Sequence, residues 1–151
     1  MLTETLKRLF RRDLNNLRKE IESYKSEETI WVTEKGINNS GGNLCLHLIG
    51  NLNTYLGAVI GKSNYIRNRE LEFSAKDIPR VELLNKIDET IITVESALEK
   101  LTDEDIDAEY PILVFDTKTT TEYLLVHLAT HLTYHIGQVN YHRRLLDKSS
   151  K

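Results

Sequence analysis

Between Thr119 and Asp147 the chain reads TTTEYLLVHLATHLTYHIGQVNYHRRLLD, and three of its histidines, His127, His131 and His135, recur at every fourth residue. A helix turns by about 100° per residue, so residues four apart stand one above the other, only about 40° round the axis. Leu124, Leu128, Leu132, Val139 and Leu146 fall beside this stripe, which makes the histidine face at least partly the buried one. Such a stretch folds as a helix packed against others, and its imidazoles need partners in that packing. A core histidine bonded to a neighbouring carbonyl or carboxylate meets the requirement. So does a metal site, because an i, i+4 histidine pair aims two ring nitrogens at one point, as in zinc-binding HExxH helices. Spacing alone admits both His127/His131 and His131/His135.

The rest of the chain supplies helices to pack against. From Thr3 to about Tyr24, Leu6, Leu9, Phe10, Leu14, Leu17 and Ile21 keep helical spacing, with the basic cluster from Lys7 to Arg12 read as a solvated face. Periodicity is lost from Ser26 to Gly42, so a loop is expected, in which Trp31 plugs the end of the core and Asn39 or Ser40 caps the next helix. The second helix is predicted from Gly42 to Ile60, with Gly61 as its C-terminal cap. Leu44, His47, Leu48, Asn51, Tyr55, Ala58 and Val59 share one face of it, which puts the fifth histidine in an apolar stripe. Leu46, Ile49, Leu52 and Leu56 widen the apolar area, so this helix is either central or buried against a partner subunit. Gly50 and Gly57 each cost roughly 1 kcal/mol relative to alanine inside a helix, which points to a close backbone approach on their side.

Lys62 to Ile78 is dominated by charge and reads as a long crossover. Pro79 then opens the clearest periodic run, Val81, Leu84, Ile87, Ile91, Val94, Leu98 and Leu101, a third helix. The acidic TDED that follows lacks the glycine and terminal glutamate of a calcium loop and reads as a solvated turn. Ile112 to Phe115 reads as a short extended segment, and Thr119 with Glu122 as the capping box of the fourth helix.

Residues 1–151 are the size of one domain, large enough to bury a core without staples. A net charge of -3 gives no electrostatic reason to expect nucleic acid. The single cysteine, Cys45, sits in the apolar run NLCLHL and reads as a small buried hydrophobe. The amphipathic N-terminus resembles neither a signal peptide nor a membrane span, so a cytoplasmic protein is expected.

Four amphipathic helices, with a long connection between the second and third, predict an all-α four-helix bundle. In it His47 and a histidine pair on the fourth helix can pool three nitrogens, the ligand count of catalytic zinc. GGNLCLHLIGNLNTYLG (41–57) together with HLTYHIGQVNYHRR (131–144) resembles the DinB-like proteins, a superfamily of metal-binding four-helix bundles that includes bacillithiol- and mycothiol-dependent transferases. The resemblance implies a divalent metal, zinc or nickel, held by His47, His131 and His135, and a homodimer. It selects His131/His135 over His127/His131. Asn51, His127, Tyr134 and Gln138 are then expected to touch the ligand rings or line the pocket. His142 is expected at the surface, where positive charge suits the end of a helix.

By resemblance the function is transfer of a small-molecule thiol to an electrophile. A metal-dependent hydrolase is the alternative, weakened because neither histidine helix shows an inward carboxylate. A non-catalytic metal-binding or stress-related protein is the third reading.

Overall fold

The computed structural model describes residues 2–148. Its elements in order are α1 (Leu2–Ser23), a 3-10 turn (Glu27–Trp31), α2 (Gly41–Leu52) running into a π-helix (Asn53–Ile60), α3 (Arg69–Ser74), α4 (Arg80–Glu99), α5 (Asp103–Asp107) and α6 (Thr121–Leu146). The fold is all-helical, and among the described residues extended pairing is limited to two isolated bridges, Glu34 with Ile37 and Glu109 with Thr120. No described helix is long and apolar enough to cross a membrane.

Each long helix forms where the periodicity places it. α1 buries Leu6, Phe10, Leu14, Leu17 and Ile21 against α4 and α6. Its basic cluster is less free than the sequence suggests, since Lys7 reaches Glu99 at 2.9 Å, Arg11 pairs with Glu95, and Arg12 meets Asp13 at 2.8 Å. Exposed pairs of this kind add at most about 1 kcal/mol each. Asp13 is buried and accepts the Thr133 hydroxyl of α6 at 2.6 Å. On α4 the buried stripe is Leu83, Ile87, Thr90, Val94, Ala97 and Leu98. It is turned by about one residue from the expected one, leaving Val81 exposed, because α4 packs against both α1 and the α2–π segment.

α2 is central. Every residue but Leu46 is buried, and its neighbours are α3, α6 and α4. Of the extra apolar residues, Leu46 and Ile49 share a groove with Tyr65, Ile66 and Leu71 of this chain's own crossover. Ser40 is the cap, its hydroxyl oxygen accepting from Asn43 N at 3.1 Å. Trp31 seals this end of the core, its ring so close to Gly42 that a Cβ there would sit 2.7 Å away. Cys45 is fully buried, and burial pushes its thiol up to about 12.

The predicted second helix does not stay α-helical to Ile60. Asn53 Nδ2 donates to Ile49 O at 2.8 Å and Thr54 Oγ1 to Gly50 O at 2.7 Å. Side chains that take the carbonyls of the preceding turn compete with the backbone ladder, which widens into the π-helix. Gly61 closes it in ordinary right-handed geometry (φ −76°), N–H donating to Leu56 O at 2.8 Å.

Three loop expectations change. The crossover contains α3, capped by Asn68, whose side chain accepts from Leu71 N at 3.1 Å. The acidic turn closes into α5 through a capping box of Thr102 and Asp105. Ile112 to Phe115 is not a strand: the ladder ends at two bonds, Tyr110 N to Thr119 O and Thr121 N to Ala108 O, both 2.8 Å. Those bonds hold Thr119 in the loop, so Thr120 caps α6 in its place, accepting from Tyr123 N at 3.1 Å.

Candidate metal centre

His47 on α2 and His131 and His135 on α6 meet where these helices pack. His131 Nε2 lies 3.2 Å from His47 Nε2 and 3.1 Å from His135 Nε2. The three ligand atoms all fall within 4.8 Å of one another.

The outer nitrogens settle the tautomers. His47 Nδ1 faces the Glu72 carboxylate at 3.1 Å, nearer than Arg67 Nη2 at 3.4 Å, and donates to Oε1; His135 Nδ1 donates to Gln138 Oε1 at 2.6 Å. Each of those rings then turns an Nε2 lone pair toward His131. The Nδ1 of His131 is buried with no hydrogen-bond partner. Burial, reinforced by the neighbouring rings of His135 and His47, lowers the His131 pKa from 6.5 to about 4. Burial also lowers that of His135, against an opposing effect of Gln138. Neutral rings are the form that binds a cation.

Nitrogen ligands of a tetrahedral ion at roughly 2.0–2.1 Å stand about 3.3 Å apart. The two nitrogen separations match that figure, and the donor set is all imidazole, so the three histidines fit a divalent ion. The chemistry of imidazole suits zinc and nickel alike.

Glu72, from α3, is the residue the sequence did not offer. It is buried, and both its oxygens also accept from Arg67: Nε to Oε2 at 2.9 Å and Nη2 to Oε1 at 3.0 Å. Burial works against its charge, but hydrogen bonds from His47 and Arg67, with the Arg67 charge, hold its pKa below the usual carboxylate value. A carboxylate–histidine pair of this kind fixes ring orientation and raises ligand basicity. Gly50, one turn after His47, makes it fit, since a methyl there would overlap the Glu72 carboxylate. What comes close at Gly50 is a charged side chain and not the backbone expected there, and that glycine beside a buried histidine was the available signal. Phe73 covers the same histidine, ring centroids 5.0 Å apart.

The other named residues separate clearly. Gln138 holds His135, and Tyr134 stacks edge-on to His135 with its hydroxyl accepting from Gln138 Nε2 at 3.4 Å. His127 stands outside the trio, its ring 6.0 Å from that of His131 and edge-on to Phe115 at 4.8 Å. Asn51 lines a cleft of about 140 Å³ together with Tyr55, Arg67, Arg69, His127 and His131. His142 is not at the surface. It is buried 2.7 Å from the Tyr24 hydroxyl through Nδ1, and its Nε2 donates to Val32 O at 2.8 Å.

Fold and site together define an all-helical protein with a three-histidine cluster able to hold a metal ion. The chain matches, over residues 2–150, the family described as a protein of unknown function, DUF1572, and belongs to that family. A comparison with curated proteins returns no match.

Proposed function

We propose that the chain is a DinB-like metalloenzyme, built on that superfamily's four-helix bundle, which transfers a low-molecular-weight thiol to an electrophile. The observation that supports this most is the convergence of three Nε2 atoms while Glu72 and Gln138 occupy the outer nitrogens of two of the rings. A divalent ion, zinc or nickel, bound by His47, His131 and His135 would supply Lewis acidity, keeping a thiol ionised near neutral pH.

The protein's own groups do the rest. Arg67 pins Glu72, Glu72 orients His47, and Gln138 orients His135, so the rings are arranged before a ligand arrives. The cleft beside Asn51 and His127 receives the substrate, with Val114 and Leu128 as its apolar wall. A hydrolase would need a free carboxylate to take a proton from water. Glu72 is poorly suited to that, because it faces the far nitrogen of His47 and is clamped by Arg67. A homodimer in the cytoplasm belongs to the same reading.

Elemental analysis of protein purified without chelator tests it first, with about one divalent ion per chain expected. Conjugation of a small thiol to a chromogenic electrophile should then require that ion. Metal-free protein after growth in replete medium would overturn the reading.

A further inference from the structure

The cleft beside the histidines has an unusual lining for a site that would hold a cation. Two arginines, Arg67 and Arg69, border it, with Asn51, Tyr55 and His127, and no aspartate or glutamate among the lining residues. Arg67 is already engaged: Nε and Nη2 donate to Glu72, its guanidinium carbon lies 5.8 Å from the centroid of the Tyr55 ring, and it has a further side-chain hydrogen bond to Tyr55. Arg69 is exposed at the outer end and has no ion-pair partner among the described residues. Deeper in, Asn51 is 7% exposed, and its Oδ1 is buried without a hydrogen-bond partner.

A buried carboxamide oxygen left unpaired is unfavourable, so a ligand that brings a donor to it recovers a hydrogen bond that folding left unmade. An unpaired arginine at the mouth of a narrow cleft favours the opposite charge and repels its own. Glu72 already neutralises Arg67, so the sign of the cleft is carried mainly by Arg69.

We propose that this cleft selects an anionic thiol: a carboxylate, or another acidic group, docks at Arg69, and an N–H or O–H of the same ligand meets Asn51 Oδ1. The inference rests on the thiol-transfer reading and narrows its substrate class. The anion would lie toward the protein surface and the sulfur toward the histidines.

Cobalt-loaded protein tests it, because sulfur binding to cobalt gives a near-ultraviolet charge-transfer band that can be titrated without turnover. Three probes of similar size differ in charge: 3-mercaptopropionate, 2-mercaptoethanol and cysteamine. Comparing each probe's midpoint between the natural protein and Arg69→Gln cancels that thiol's own acidity. The substitution should weaken 3-mercaptopropionate about fivefold, move 2-mercaptoethanol by less than about twofold, and tighten cysteamine. Arg69→Glu, on the same exposed position, should enlarge each change, and added salt should shrink them all. Equal shifts for the three thiols would overturn the anion preference while leaving thiol binding standing. Cobalt uptake with no charge-transfer band from any thiol, or no cobalt uptake, would overturn the thiol-transfer reading and this inference with it.

Discussion

His131 and His142 lie on one face of the same helix, about three turns apart, the first half-buried and the second buried, and their ring nitrogens are opposite in character. His142 has a partner for each ring nitrogen, the Tyr24 hydroxyl and the Val32 carbonyl. His131 has none on Nδ1, and its Nε2 faces two other imidazoles that have lone pairs to offer. The first is complete within the protein and ties α6 to the end of α1. The second is incomplete on its own and belongs to a trio able to hold a metal ion. Burial of a histidine therefore says little about its role; the satisfaction of its two nitrogens says a great deal.

The most severe way to break this contrast is to exchange the two roles by mutation. His131→Ala should abolish stoichiometric metal binding, whereas His142→Ala should leave it intact and strand the buried Tyr24 hydroxyl, lowering stability by about 1–3 kcal/mol in urea unfolding. Metal loss in both variants would erase the distinction. Next in size, Glu72→Gln should keep the fold and weaken metal affinity by about 10–100-fold in competition titrations. Gly50→Ala should act in the same direction, by displacing Glu72.

Protons sharpen the contrast further. With the metal chelated, His131 in the folded state has a pKa near 4 against an ordinary value of 6.5. Between those values the unfolded chain binds a proton that the folded one refuses, so stability should fall as pH drops from about 6.5 to about 4 and stay level above that window. The slope should be smaller in His131→Asn. The smallest effect expected is that of His127→Ala, which loses packing on Phe115 and keeps metal stoichiometry by elemental analysis.

The sequence made some of this legible and hid the rest, for a physical reason. Helix periodicity is local, so α1, α4 and α6 could be read directly, as could the register that puts His47 in the apolar stripe of α2. Selection of His131/His135 over His127/His131 came from resemblance, because both pairs have the same spacing. Glu72 stayed hidden because a carboxylate in a charge-rich crossover looks solvated until the chain folds back onto α2 at Gly50. His142 was misjudged by a local argument about helix ends, although Tyr24 and Val32, distant in sequence, decide its surroundings. Ile112 to Phe115 has the composition of a strand and, among the described residues, no neighbouring strand to pair with. The π-helix depends on Asn53 and Thr54 choosing carbonyls one turn back, which residue type permits and does not dictate.

The clamp of Arg67 on Glu72 separates two jobs that many proteins combine. The groups that would grip an ion are anchored on the long helices, while the group that tunes one of them rides on a short, surface-facing connector. Drift in that connector can adjust affinity and reactivity by degrees, with the histidines untouched, so relatives sharing the same imidazoles can diverge in chemistry through a stretch that looks dispensable.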